Sequence, residues 1–410
     1  MKKFLFFLLL AGLTACKNSY YAYRTYDYPK PVDTKDKAID YQEKKVFKAG
    51  EVFASNQFDA ARLNDFKKVN DTLYEALILP ENTPVNMSPW FAFRIWSEEP
   101  DTLYIRLKYE HAKHRYIPKY GKDKRHLKPI PHFTYNADST AVVFPFVTER
   151  TPQYISAQEI ISTTDIYQWI DSLKKNEFVL ESKFIGESVL GRKIPYFRLG
   201  KKEANAKKVV VLMSRQHPPE ISGFKALQYF VEELLKKDAL TEDFFEEYEV
   251  WVFPVINPDG VDLGHWRHNA HGIDLNRDWA YYRQPEIKQI TEFIRTEARQ
   301  GKKKIILGID FHSTQHDVYY VFDDNIKTII SRFRHDWTAS IDRLVYPHKT
   351  EYAPFPLSQA ISKNWFYSQF GAEAITYEMG DEVPYEIIQK KSTAAAVSMM
   401  DLLLDVFKNK

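Results

Sequence analysis

Cysteine is almost missing from this sequence: Cys16 stands alone among 410 residues. No disulfide can form within the chain, and a cysteine-built metal knot is excluded. A catalytic thiol is also disfavoured, since the one cysteine lies at the extreme N-terminus, outside any folded core. An excess of charge of one sign is missing too. Lysine and arginine number 57 against 55 aspartates and glutamates, a formal net charge of +2. The short basic runs at 122–125 and 302–304 read as solvated turns, and no basic arm stands out. General attraction to nucleic acid is therefore not expected. There is no Gly-x-Ser-x-Gly elbow, which disfavours a serine hydrolase. There is no His-Glu-x-x-His, which disfavours metal sites built on one helix. No internal repeat is visible. The apolar run at 4–10 is too short to span a bilayer.

What is present points first to export. "MKKFLFFLLLAGLTAC" has two lysines, an apolar stretch and then small residues, the layout of a signal peptide. Its end, Leu13-Thr14-Ala15-Cys16, resembles a bacterial lipobox. That resemblance implies cleavage before Cys16 and a lipid on its thiol. Residues 1–15 are then a signal, 16–42 a polar Tyr/Pro-containing tether, and the protein is anchored to the membrane of a bacterial cell envelope. The outer membrane is the expected location, with the protein facing the periplasm or the cell surface. With 44% apolar and 15% aromatic residues the remainder is globular.

Two patterns follow one another. Over 43–155, short alternating runs such as "TLYEALILP", "WFAFRIWS", "TLYIRLKYE" and "TAVVFPFV" are separated by turn residues. They predict an antiparallel β-sandwich. From 156 to 410 wholly apolar strands alternate with amphipathic helices. "KKVVVLMS", "YEVWVFPVINP", "KKIILGIDFHS" and "AEAITYEMG" read as buried strands. "FKALQYFVEELLKKD", "PEIKQITEFIRTEAR", "SRFRHDWTASIDRLV" and roughly 385–407 read as helices. This predicts an α/β domain with a mixed, mostly parallel sheet and helices on both faces. In such sheets ligands sit beyond the carboxyl ends of the strands, where His217, Asn257, His312 and Glu378 all fall.

The segment "VVVLMSRQHPPEISG" leaves a buried strand and turns on two prolines between His217 and Glu220. A catalytic zinc takes three nitrogen or oxygen ligands and keeps one position open. His217 and Glu220 offer two from one corner, and His312 in "GIDFHS" offers a third from another strand end. Alone, each of these residues is as easily a core histidine or a rim charge; their common placement favours a site.

His217-Pro218-Pro219-Glu220, "NPDG", "HWRHN", "GIDLNRDW", "DFHS" and "TYEMG" together, and in this order, resemble the zinc metallocarboxypeptidases. "SPWFAFRIWS" resembles the β-sandwich that precedes the peptidase in the cytosolic-carboxypeptidase-like branch. The resemblance implies one zinc ion held by His217, Glu220 and His312, with Glu378 as general base and Arg267 steadying the oxyanion. It implies that Asn276 and Arg277 grip a free terminal carboxylate and that Asp274 orients the first ligand histidine. The substrate implied is a peptide with a free C-terminus. The family's mobile tyrosine has no match, because Pro356 occupies its position; Tyr352 is the nearest candidate, ahead of Tyr346 and Tyr367. The position lining the terminal side-chain pocket falls on Lys363, which would favour an acidic terminal residue. His271 and His316 read as rim or substrate-facing residues, His265 and His268 as loop residues. A zinc amidase acting on cell-wall stem peptides or other acyl groups, and a non-catalytic binding module, are the alternatives.

Overall fold

A computed structural model describes residues 28–31, 38–82 and 88–406 of the chain. Cys16, the leader and most of the tether lie outside the described residues. Among those described, no helix is long and apolar enough to cross a membrane.

The N-terminal part forms two sheets. One has six strands in the order Val46–Ala49, Val52–Ser55, Ala92–Ser97, Gln153–Ser156, Lys119–Gly121, Lys128–Pro129. The other has five, Asp65–Lys68, Leu73–Ile78, Thr102–Tyr109, Ala141–Val147, Thr134–Tyr135. Period-two alternation sends one face of each inward: Leu103, Ile105 and Leu107 share a core with Phe93, Ile95, Val142 and Phe144. Pairing is antiparallel with one exception. Leu73–Ile78 runs parallel to Thr102–Tyr109, because the strand between them in sequence, Ala92–Ser97, belongs to the opposite sheet and the chain returns in its original direction. The antiparallel arrangement expected from the sequence thus holds with one parallel pair within it.

From residue 179 onward the chain builds an eight-stranded mixed sheet. Its order is Val179–Glu187, Lys193–Leu199, Tyr248–Phe253, Lys208–Ser214, Lys304–Thr314, Glu373–Gly380, Val318–Val321, Glu351–Pro354. The central strands are parallel: Lys208–Ser214 pairs with Tyr248–Phe253 on one side and Lys304–Thr314 on the other, and the latter with Glu373–Gly380. Both faces are covered, which is why these strands are continuously apolar. Val210 and Leu212 pack beneath helices Ile221–Leu234 and Tyr385–Val406. Val209, Val211 and Met213 pack beneath helices Pro285–Gln300 and Ser362–Phe370.

The helix after the first corner begins at Ile221, three residues earlier than the apolar pattern alone suggests, because the Pro-Pro corner ends at Glu220. Helix Thr163–Leu173 carries a capping box of Ser162 and Asp165. Two glycines permit close approaches that shape the site. A Cβ on Gly223 would lie 2.3 Å from the His312 carbonyl oxygen, so this glycine lets the helix of Glu220 lie against the strand of His312. Gly264, at φ 67°, ends a short helix, Pro258–Leu263, in the left-handed region; a Cβ there would lie 2.2 Å from the Ala61 carbonyl oxygen in the N-terminal part.

Candidate metal centre and active site

Three parallel strands end side by side, and their last residues and exits meet. His217 lies three residues beyond Ser214, on a corner held by Asn257, whose amide donates to the Gln216 carbonyl at 3.1 Å. Asn257 also caps the helix that follows it. Glu220 is the N-cap residue of Ile221–Leu234. His312 and Glu378 are direct partners on the neighbouring strands Lys304–Thr314 and Glu373–Gly380.

The donor atoms of His217, Glu220 and His312 lie within 4.8 Å of one another. His217 Nδ1 is 2.7 Å from Glu220 Oε1, and His312 Nδ1 is 2.7 Å from Glu220 Oε2. The far nitrogen of each ring faces another carboxylate: His217 Nε2 is 3.1 Å from Asp274 Oδ1, and His312 Nε2 is 2.9 Å from Asp310 Oδ2. That arrangement fixes each imidazole and strengthens it as a ligand through Nδ1. Two imidazoles and one carboxylate beside an open cavity suit a catalytic zinc, so the residues present fit the ion. Burial raises Glu220, but His217 and His312 outweigh burial and hold it below the usual carboxylate range. Burial lowers His312, yet Asp310 and Glu220 drive it well above the usual imidazole range.

A cavity of about 230 Å³ opens on this group, and Glu378, Arg267, Asn276 and Arg277 line it. Glu378 Oε2 is buried with no hydrogen-bond partner among the described residues. Burial pushes this carboxyl up to about 7, the Glu220 charge adding to the shift and His312 opposing it. A carboxylate left unpaired beside a cavity is free to take a proton from whatever enters. Arg267 is anchored through Nε to Asp274 Oδ2 at 2.7 Å, which leaves its terminal nitrogens for the cavity. Asp274 thus holds both His217 and Arg267. Arg277 donates to the Asn276 carbonyl at 2.7 Å. The Asn276 amide nitrogen lies 3.3 Å from His312 Nε2, and its oxygen accepts from the Ser362 backbone.

The sequence model of the zinc carboxypeptidases, Peptidase M14, matches residues 166–395, more than half of the chain. This chain belongs to the zinc carboxypeptidase family. Among curated relatives, the mouse protein cytosolic carboxypeptidase 6 is 22% identical over 280 residues, covering 62% of this chain and 52% of that protein. The Caenorhabditis elegans protein of the same name is 22% identical over 290 residues, 64% of this chain and 62% of that one. The chain therefore spans between about half and three fifths of these relatives' length. Among solved structures, a metallo-carboxypeptidase from Burkholderia cenocepacia matches with a TM-score of 0.73 over 87% of this chain and 100% of its own, at 17% identity. Another from Pseudomonas aeruginosa, in complex with (2-guanidinoethylmercapto)succinic acid, matches with a TM-score of 0.69 over 85% and 98%, at 19% identity. These likenesses are ones of fold, and their extent takes in the N-terminal sheets as well as the zinc carboxypeptidase sheet.

Against the family's pattern, the structure gathers His217, Glu220, His312, Glu378, Arg267, Asn276 and Arg277 around one cavity, with Asp274 directly behind. It does not bring Tyr352 there. Tyr352 pairs in register with Tyr319, shares that residue's inward face, and stacks on His335 with ring centroids 5.2 Å apart. Tyr320, one residue on and so on the opposite face, lines the cavity instead. Tyr367 is in the core and Tyr346 is exposed. Lys363 neither lines the cavity nor reaches solvent. It is 1% exposed, with its ammonium over the Phe322 ring at 3.8 Å and donating to the Val321 and Phe355 carbonyls at 3.3 Å. His271 and His316 are also absent from the cavity wall and face Gln284 and Glu351. His265 and His268 are buried within their loop.

Three residues absent from the sequence reading belong to the site. Asp310 stands two residues before His312 on one strand, and that period-two spacing was a usable signal. Tyr320 was hidden in a strand of only four residues. Arg115 comes from the N-terminal part, lines the cavity, ion-pairs with Asp381 at 2.7 Å and lies over the Trp266 ring at 4.9 Å. No local pattern announces a residue contributed from so far along the chain.

Proposed function

We propose that this chain is a zinc-dependent carboxypeptidase that removes the last residue of a peptide with a free terminal carboxylate. The observation that carries the reading is Glu378, whose Oε2 is buried without a partner among the described residues and which lines the same cavity as the His217–Glu220–His312 group. Zinc held by those three residues supplies Lewis acidity that polarises a carbonyl and acidifies a water molecule. The chain's own groups do the rest. Arg277 and Asn276 receive the terminal carboxylate, and a planar guanidinium favours that bidentate partner, so cleavage is confined to the chain end. Arg267, held by Asp274, donates to the carbonyl oxygen as negative charge develops there. Glu378 accepts the proton of the attacking water and returns it to the departing amine.

We also propose a preference for an acidic terminal side chain. The support is Lys363, which has no carboxylate within ion-pair distance among the described residues, its backbone acceptors being weak partners for a full charge. Burial lowers it to about 7. Its acceptor Phe355 lines the cavity, so the buried ammonium stands directly behind that wall and a substrate carboxylate would reach it by displacing Phe355. A panel of peptides differing only in the last residue, each as free acid and as amide, tests both statements. Free acids should be cleaved and amides left intact, and Glu-ended peptides should be cut about tenfold or more faster than Leu-ended ones, a preference lost in Lys363→Met. Cleavage of amides at equal rates removes the carboxypeptidase reading; faster cleavage of Leu- or Lys-ended peptides removes the acidic preference alone.

The leader and its Cys16 support anchoring to the cell envelope, with the catalytic part outside the cytoplasm. Fractionation of cells making the parent chain and Cys16→Ser should find the first in membranes and the second released. Membrane retention of both would end the lipid-anchor reading.

A further inference from the structure

Arg267 sits on a loop, 264–274, that contains no strand and only turns before the 3₁₀ turn Leu275–Arg277. Something other than repetitive structure must give that loop its shape. The backbone N–H groups of Trp266, Arg267 and His268 all point to one side, and all three donate to a single carboxylate, that of Glu81, at 3.1, 2.8 and 2.9 Å. Glu81 belongs to the N-terminal part, is fully buried, and has Arg62 behind it at 3.8 Å. Successive N–H groups converging on one anion form a concave nest, and bonds to an ionised acceptor are about twice as strong as neutral ones. The next residue, Asn82, also fully buried, holds the other end of the loop. Its amide donates to the Gly272 carbonyl at 3.3 Å, and its oxygen lies 2.7 Å from His268 Nδ1. From this anchorage a continuous line runs inward: Glu81 to the Arg267 backbone, Arg267 Nε to Asp274, Asp274 to His217.

We propose that Glu81 is a positioning residue for Arg267, so that the N-terminal sheets supply part of the catalytic geometry and are not an appendage to it. The proposal rests on the reading that Arg267 stabilises the reacting carbonyl. Without the Glu81 carboxylate, three N–H donors that converge on a fully buried group lose their acceptor and the loop must turn to satisfy them elsewhere, which swings the guanidinium away from where charge develops.

The test is a double-mutant cycle on the zinc-loaded full chain, using Glu81→Gln, Arg267→Ala and the double variant with a free-acid peptide substrate. Glutamine keeps the size of the side chain but loses the charge and one acceptor. In the parent background Glu81→Gln should lower kcat about 10–100-fold, the range for losing an outer partner of a catalytic group, with KM changed less than about twofold and zinc content unchanged. In the Arg267→Ala background the same substitution should lower kcat no further, because what it positioned is gone. Equal losses in both backgrounds, or an effect confined to KM, overturn the proposal, since a purely structural role gives those results. A second measurement does not depend on cleavage. Amide hydrogen exchange at 266–268 should quicken at least about tenfold in Glu81→Gln, and unchanged protection there overturns the proposal. Should the parent chain with bound zinc cleave no free-acid peptide, the carboxypeptidase reading falls, and exchange still decides whether Glu81 orders the loop. If Glu81→Gln does not fold, Asn82→Ala carries the same cycle through the same loop.

Discussion

Glu378→Gln is expected to lower kcat about 10²–10⁴-fold, the usual worth of a positioned general base, with KM and zinc content close to those of the parent chain. The substitution is nearly isosteric and removes only the ability to take a proton. Since Glu378 Oε2 has no partner to lose among the described residues, the fold should be untouched, and the thermal midpoint should stay within a few degrees of the parent's. The pH profile gives a second reading. Burial pushes Glu378 up to about 7, and a base works only when ionised. The parent's activity should therefore fall as pH drops and the carboxyl takes up its proton. A cation at the neighbouring ligand group favours the ionised form, so this acid limb lies at or below about 7. The limb should vanish from the residual activity of Glu378→Gln. A variant retaining more than a tenth of the parent's kcat would remove Glu378 from the mechanism.

The division between a strand-rich first part and an alternating α/β second part was legible because each leaves its own periodicity: two in "TLYIRLKYE", and unbroken apolar runs in "KKVVVLMS". What escaped was structure whose signal is short or split. The hairpin Val179–Glu187 and Lys193–Leu199 carries bulges and half-exposed residues, which blur the alternation. Helix Ser362–Phe370 is buried almost all round, so it has no amphipathic face to detect. The strand-end placement of His217, His312 and Glu378 was visible as apolar runs ending in polar residues, and those side chains do meet. Lys363 and Tyr352 show the limit of counting positions. Lys363 was assigned as the family's pocket position and Tyr352 as the tyrosine nearest to Pro356, yet the chain from Tyr352 onward passes through a short edge strand and a buried helix. Phase along the paired strands Val318–Val321 and Glu351–Pro354 then decides that Tyr320 faces the cavity and Tyr352 the core. Arg115 and Glu81 were out of reach altogether, because their partners lie in the other half of the sequence.

Zinc is expected to leave when His312 is replaced by Ala, and activity with it. Among the described residues His312 is one of the three donors, it is 1% exposed, and the imidazole paired with it is that of His217, itself already a donor. Removing it should weaken zinc binding by more than the roughly 10–100-fold that follows loss of an outer-shell partner. Asp310→Asn supplies that smaller loss for comparison, since it leaves His312 Nδ1 in place and removes the charge at Nε2, from an oxygen that also accepts from Gln216 and Ser362. Both effects depend on pH, and the sign follows from the charge. Asp310 and Glu220 hold His312 protonated well above its usual range against the cost of burial. A metal needs the neutral ring, so zinc must displace a proton, and its affinity should fall as pH is lowered. In Asp310→Asn the ring gives up that proton more easily, and the pH dependence should move to lower pH while the maximal affinity drops. Equilibrium dialysis with metal analysis across pH measures both, and calorimetry in buffers of different ionisation enthalpy counts the protons released. One equivalent of zinc held by His312→Ala as tightly as by the parent chain would place the metal elsewhere and undo the site built from His217, Glu220 and His312.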